Sequence, residues 1–112
     1  MSLADITRRR GDTYPHRFTL IDSNGAAVNI AGYSFRMTVN TVKKPVDIST
    51  QLFTLTGVIT AAAAGEYEFR PSSTNTDQTP GTYWYDVEVT DGSGYITTLG
   101  VAKYVITQDI SK

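Results

Sequence analysis

Strict alternation of apolar and polar residues in "YSFRMTVN", at positions 33–40, most limits how this chain can fold. Successive side chains of a β-strand point to opposite faces, so every second residue shares a face. The inward-facing residues predicted here are Tyr33, Phe35, Met37 and Val39. The same alternation in "RFTLID" and "EYEFRP" predicts inward-facing Phe18, Leu20, Tyr67 and Phe69. These segments are typical of strands that bury one face only.

Turn-forming residues separate these segments, as in "DSNG" at 22–25, "PSSTNTDQTPG" at 71–81 and "DGSG" at 91–94. Short strands at this spacing predict an all-β fold, an immunoglobulin-like or Greek-key antiparallel β-sandwich of about seven or eight strands. We expect at most one short helical turn, in "TAAAAG" at 60–65, capped by Thr60 and ended by Gly65. We expect a single domain over residues 1–112, with residues 1–10 as an extended N-terminal arm.

Composition narrows the classes of function. The 112 residues include no Cys and one His, and ten Lys and Arg against eleven Asp and Glu give a net charge of -1. This composition predicts no disulfide, no metal site and no cofactor, and the balanced charge argues against a nucleic-acid partner. No segment approaches the roughly 18 consecutive apolar residues of a membrane span, so no membrane partner is expected.

Catalytic chemistry has few candidate residues. His16, in "YPHRF", has no Ser near it in the sequence and is interpreted as a strand-edge residue without catalytic role. Asp86 and Glu88 share one face of a predicted strand, where a paired-carboxylate hydrolase is conceivable, but solvated surface residues are the favoured interpretation. "DSNG" and "DGSG" lack the twelfth-position Glu of a calcium loop. The sequence therefore predicts no catalytic residue and no enzymatic activity.

The segment "GTYWYDVEVTDGSGYITTLG", at 81–100, predicts a hairpin with three consecutive aromatics in its first strand. Pairing across the turn is expected to align Tyr85 with Gly100 and Tyr83 with Ala102. The predicted core-facing set is Tyr83, Tyr85, Val87, Val89, Ile96, Tyr104 and Ile106.

Trp84 falls on the opposite face from these residues, together with Asp86 and Glu88. Three roles are open: packing under the N-terminal segment or loops of the chain itself, contact with a protein partner, or stacking on a sugar ring. The "RRR" run at 8–10 is typical of a solvated or ion-paired surface, with a protein interface as the alternative. The candidate interface residues are Trp84, Arg8, Arg9 and Arg10.

Three longer segments resemble a family of bacteriophage tail and baseplate β-sandwich modules, such as the N-terminal domain of upper baseplate proteins. They are "RGDTYPHRFTLIDSNGAAVNIAGYSFRMTV", "ITAAAAGEYEF" and "GTYWYDVEVTDGSGYITTLGVAKYVIT", which together span about residues 10 to 107. The shared positions are turn glycines and core aromatics, which specify a fold more than a function.

The resemblance implies a non-enzymatic phage or prophage virion protein, a tail, baseplate or neck module that acts through protein–protein contacts. Its implied partners are other phage structural proteins, with a homo-oligomer as a further possibility, and its implied location is the virion, assembled in the cytoplasm of a bacterial host. A carbohydrate-binding or adhesin-like module is the alternative, motivated by seven Tyr and one Trp in a β-sandwich.

Overall fold

The computed structural model describes residues 3–45 and 48–108, and these form two facing β-sheets. The strands are β1 (Ile6–Arg9), β2 (His16–Thr19), β3 (Ser34–Asn40), β4 (Gln51–Thr56), β5 (Val58–Ala61), β6 (Glu66–Phe69), β7 (Gly81–Thr90) and β8 (Ile96–Thr107). Two 3-10 turns span Ile48–Thr50 and Ala62–Ala64, and one α-helical turn, α1, spans Ser73–Thr76.

The larger sheet has the strand order β1-β8-β7-β3-β4, and the smaller has the order β2-β6-β5. Neighbouring strands are antiparallel except for β1, which pairs parallel with β8. The predicted fold class is therefore confirmed: the described residues form an all-β, immunoglobulin-like sandwich of eight strands with a single short α-helical turn.

The core lies between the two sheets and consists of the residues that alternation directs inward. In β3, Phe35, Met37 and Val39 are almost fully buried. Phe35 of the larger sheet stacks on Tyr67 of the smaller one, with ring centroids 3.8 Å apart. Such contacts join the sheets, because each sheet has one apolar face to remove from water. The inward orientation predicted for Tyr67 and Phe69 is confirmed.

The predicted register of the β7–β8 hairpin is wrong. Tyr85 lies opposite Ala102 rather than Gly100, and Tyr83 lies opposite Tyr104 rather than Ala102. Between the pairs Glu88–Thr98 and Asp86–Val101, β8 contains one more residue than β7, so the pairing shifts there. Because of this extra residue, the alternation of inward and outward side chains along β8 is reversed between the two sides of the irregularity. Ile96 is consequently 65% exposed, although the hairpin alignment had placed it in the core.

Glycine ends the predicted helical turn, which the structure shows as the 3-10 turn Ala62–Ala64. Gly65 has φ +70°, and a Cβ there would lie 2.7 Å from the carbonyl oxygen of Leu20, so both the backbone and the packing require glycine. Thr60 does not cap the turn, because the N-cap residue is Ala61, which makes no side-chain cap hydrogen bond. The α1 turn lies inside the segment predicted as a loop, where Ser72 and Asn75 form a reciprocal capping box.

The N-terminal segment predicted as an arm contributes β1, one of the two edge strands of the larger sheet. Residues 1 and 2 of that predicted arm lie outside the described residues. Within the described chain, the longest helix has four residues, so no helix there could cross a bilayer.

Candidate functional site

The outer face of the larger sheet carries Trp84 at its centre. Trp84 lies opposite Lys103 of β8 and Asn40 of β3, while Asp86 lies opposite Val101. We call this surface the tryptophan face, defined by Val42, Lys43, Trp84, Asp86, Val101 and Lys103. Alternation along β7 places it on the side away from the core.

Trp84 is half-buried, and the ammonium of Lys43 lies 5.1 Å from its ring centroid, a cation–π distance. Two apolar side chains of the same face are open to solvent, since Val42 is 40% exposed and Val101 is 49% exposed. Trp84 therefore contacts a loop of its own chain through Lys43, which corresponds in part to the first of its three predicted roles. The same cation covers a ring that a sugar would need to approach.

The carboxylates beside Trp84 have different environments. Glu88 accepts a hydrogen bond from Nη2 of Arg36 at 3.0 Å and is thereby ion-paired. Asp86 has no ion-pair partner within 4.0 Å among the described residues. Partial burial, and then the charge of Glu88, raises the pKa of Asp86, although Arg36 acts in the opposite direction. A cation brought close to Asp86 would therefore stabilise the ionised form of its carboxyl group.

The three arginines of the run at 8–10 lie in different environments, because successive side chains of β1 point to opposite faces. Arg8 is partly buried on the side facing the sandwich interior, where it follows Ile6 in the same orientation. Arg9 is exposed. Arg10 forms an ion pair with Asp77, with Nε and Oδ1 2.8 Å apart. The three predicted interface residues therefore do not form one patch, and none of them belongs to the tryptophan face.

A cleft opens between the edge strands β1 and β2, where the two sheets are not hydrogen-bonded to each other. Its volume is about 790 Å³, and its walls include Ile6, Arg8, His16, Phe18 and Tyr67. We call it the edge cleft. Clefts that hold small ligands commonly have volumes of about 300 to 1,000 Å³ and mostly apolar walls with a few polar groups.

His16 is only 1% exposed and lies in the wall of the edge cleft. Its Nε2 is 2.8 Å from the hydroxyl of Tyr104, and the two rings meet edge to face. Burial, and then the nearby charge of Arg8, lowers the pKa of His16 to about 4, so the imidazole is neutral at neutral pH. Sequence reasoning placed His16 correctly at a strand start but missed the cleft. The available signal was its two-residue spacing from Phe18, which puts both on the inner face.

The chemical candidates lie on opposite sides of the larger sheet. His16 is between the sheets, whereas Asp86 and Glu88 are on the outer face, so the structure does not bring them together. Across the described residues, no group of three or more His, Cys, Asp or Glu side chains could hold a metal ion.

No protein-family model and no curated protein matches the chain. Among solved structures, the crystal structure of CopC from Methylosinus trichosporium OB3b has a similar fold. The two structures superpose with a TM-score of 0.53 and 12% sequence identity, over 95% of this chain and 86% of that chain. At this identity the likeness establishes the fold alone.

The predicted resemblance to phage tail and baseplate modules is wrong, because the structural match is to CopC. The virion function and the virion location drawn from that resemblance are wrong with it. The residues that carried the resemblance explain the error: Gly25, Gly32, Gly65 and Gly94 all have positive φ, and Tyr85 is core. A β-sandwich needs such residues at turns and in its interior whatever it does. The predicted partners, including a homo-oligomer, are not tested by this comparison. What the chain resembles is an immunoglobulin-like sandwich of the CopC type.

Proposed function

We propose that this chain is a non-enzymatic binding module that pairs with a second copy of itself through the tryptophan face. The observation that carries the proposal is the order of side chains on that face. Lys43 and Lys103 lie beside Trp84 at one end, and Asp86 lies at the other. A surface with opposite charges at its two ends is complementary to its own copy rotated by 180°.

A non-catalytic role is favoured by what the chemically capable groups are already doing. His16 contacts the hydroxyl of Tyr104 inside the sandwich, and Glu88 is paired with Arg36. Both groups are therefore already engaged in contacts within the fold.

In the proposed dimer, Trp84 lies near the two-fold axis against the exposed Val42 and Val101 of the other copy. Tryptophan at the centre of a protein interface commonly contributes a large part of the binding energy, because its ring buries a large apolar area. Lys103 of each copy then faces Asp86 of the other and gives it the ion-pair partner that it lacks among the described residues.

The experiment is a charge swap followed by sedimentation. Lys103→Glu and Asp86→Lys are made separately, and each is expected to weaken self-association about tenfold or more, because like charges then meet across the axis. An equimolar mixture of the two variants is expected to associate again, since each altered side chain meets its opposite charge.

Glu66→Lys is the matched control, because Glu66 is an exposed carboxylate on the smaller sheet. It changes the net charge by the same amount as Asp86→Lys and should leave association unchanged. A wild-type protein that stays monomeric at millimolar concentration would overturn the proposal. So would a mixture of the two variants that associates no better than each variant alone.

A further inference from the structure

The edge cleft combines an apolar wall with a cation that the fold leaves uncompensated. Ile6, Phe18 and Leu3 form part of the apolar lining, and Arg8 lies among them. In β1, Ile6 is buried, and Arg8 occupies the next inward position, opposite Ile106 of β8. A charged side chain at a position that alternation assigns to the interior needs a compensating partner.

Arg8 has no such partner among the residues that the structure describes. Its Nη1 donates to the backbone carbonyl of Thr7 at 2.9 Å, but Nε is buried without a hydrogen-bond partner among the described residues. None of the ion pairs formed within the described chain includes Arg8. Arginine stays protonated at any physiological pH, so its charge cannot be relieved by losing a proton.

His16 presents a second unused polar atom in the same wall. The side chain is almost fully buried, Nε2 contacts Tyr104, and Nδ1 has no hydrogen-bond partner in the described parts of the chain. Buried polar atoms are rarely left without a partner, because desolvation without a hydrogen bond costs stability. Arg8 and His16 both belong to the wall of the edge cleft, so a ligand held there could supply the partners that these two side chains lack.

The remaining charged groups around the cleft are already engaged. Oδ1 of Asp22 accepts hydrogen bonds from the backbone N–H groups of Asn24 and Ala26 and so holds its own turn. Arg17 lies 3.4 Å from Glu68. The guanidinium carbons of Arg8 and Arg17 are each 5.7 Å from the ring centroid of Tyr14, a residue that is 61% exposed. The unpaired charge in the cleft is therefore positive, and Arg8 supplies it.

We propose that the edge cleft binds a small organic monocarboxylate, with its carboxylate at Arg8 and His16 and its apolar body against Ile6 and Phe18. The planar guanidinium suits a carboxylate, which can accept two parallel N–H hydrogen bonds. Neutral His16 adds a donor in the tautomer that carries its proton on Nδ1, with the hydroxyl of Tyr104 donating to Nε2.

The first test uses the wild-type protein and needs no mutation. Acetate, butyrate, hexanoate and benzoate are titrated by calorimetry, with hexanamide as the neutral match of hexanoate and sulfate as an inorganic anion. Affinity is expected to rise by up to about fourfold for each methylene added. Hexanoate should bind about tenfold more tightly than hexanamide, because the amide forms no charge-assisted hydrogen bond.

The second test uses neighbouring arginines as a matched pair. Arg8→Gln is expected to weaken hexanoate binding about tenfold, whereas Arg9→Gln, which removes the same charge from an exposed position, should leave it unchanged. Amide NMR shifts caused by hexanoate should centre on His16 and Phe18. His16→Gln should weaken binding by less than Arg8→Gln, because it removes a neutral hydrogen-bond donor rather than a charge.

Any one of the following results would overturn this proposal. The first is that no carboxylate binds at a concentration of about 10 mM, at which even a millimolar affinity would be detected. The second is equal binding of hexanoate and hexanamide, and the third is an equal loss of binding in Arg8→Gln and Arg9→Gln. Sulfate binding as tightly as hexanoate would show a site for inorganic anions only and would also overturn it. If Arg8→Gln fails to fold, the comparison of hexanoate with hexanamide still decides. The edge cleft and the tryptophan face are on opposite sides of the larger sheet, so each proposal can fail without the other.

Discussion

Two adjacent aromatic residues of β7 show how differently the two faces of one strand are used. Tyr85 is 1% exposed, and its hydroxyl donates to the backbone carbonyl of Ala4. Trp84, the residue immediately before it in the chain, lies half-buried on the outer face beneath Lys43. The side chains of the inner face are thus held by packing within the chain, whereas those of the outer face are in part accessible to solvent. Differences between these two faces can be measured by substitution.

The largest expected effect is on the inner face. Tyr85→Ala should lower the free energy of unfolding by about 3 to 5 kcal/mol, because the deletion leaves a cavity between the sheets and removes a buried ring. Trp84→Ala should cost less than half of that, because part of its ring remains in contact with water in the folded state. Urea denaturation of both variants at low protein concentration measures the difference. Equal losses would show that the two faces do not differ in the proposed way.

Alternation along the strands made the inner face predictable. Phe35, Met37, Val39, Tyr67 and Phe69 were all placed correctly, because a strand buried on one face must repeat every second residue. The turn residues between these short strands led to the β-sandwich fold class. Alternation also placed Trp84 correctly on the outer side of β7.

The features that the sequence did not reveal depend on contacts between distant segments. The irregularity in β8 adds one residue to one strand of a pair, and its only local sign is Gly100, with φ +131°. The different environments of Arg8 and Arg10 follow from the parallel pairing of β1 with β8 and from the ion pair with Asp77, some 67 residues away. The edge cleft likewise exists only once β1 and β2 have been placed in different sheets.

The β8 irregularity gives a matched pair of isoleucines within one strand. Ile106 is 1% exposed and Ile96 is 65% exposed, although simple alternation puts both on the inner face. Ile106→Ala should cost about 2 to 5 kcal/mol, and Ile96→Ala should stay within about 0.5 kcal/mol of the wild type. Thermal or urea unfolding of the two variants provides the measurement. A loss at Ile96 as large as that at Ile106 would restore the regular hairpin register and refute the shifted one.

His16 adds a dependence on pH to the inner side. The unfolded chain protonates this imidazole near its ordinary pKa of 6.5, but in the folded protein burial and Arg8 lower the pKa to about 4. Between these values the unfolded state binds more protons, so the free energy of unfolding falls as the pH falls from 6.5 to 4. This decrease in the free energy of unfolding is about 3 kcal/mol at most.

His16→Gln is the control for that dependence, because it keeps a polar side chain but cannot titrate in this range. The difference in unfolding free energy between wild type and variant should be constant above pH 6.5 and should change steadily below it. Carboxylates titrate in both proteins, so subtracting the two profiles isolates the histidine. Parallel profiles from pH 7 to pH 4 would show that His16 is not held neutral by the fold.

The smallest expected effect concerns the ion pair on the outer face. The side chains of Arg36 and Glu88 are 58% and 33% exposed, so solvent screens their attraction. Arg36→Gln should therefore lower the free energy of unfolding by only about 0.2 to 1 kcal/mol, and less at high salt. It should nevertheless raise the pKa of Asp86 further, because Arg36 is the cation that opposes the effects of burial and of Glu88. NMR titration of the Asp86 carboxyl together with urea unfolding tests both outcomes. A large loss of stability with no change in the pKa of Asp86 would mean that Arg36 supports the fold. The outer face of β3 would then contribute to stability as an inner face does, unlike the outer face of β7.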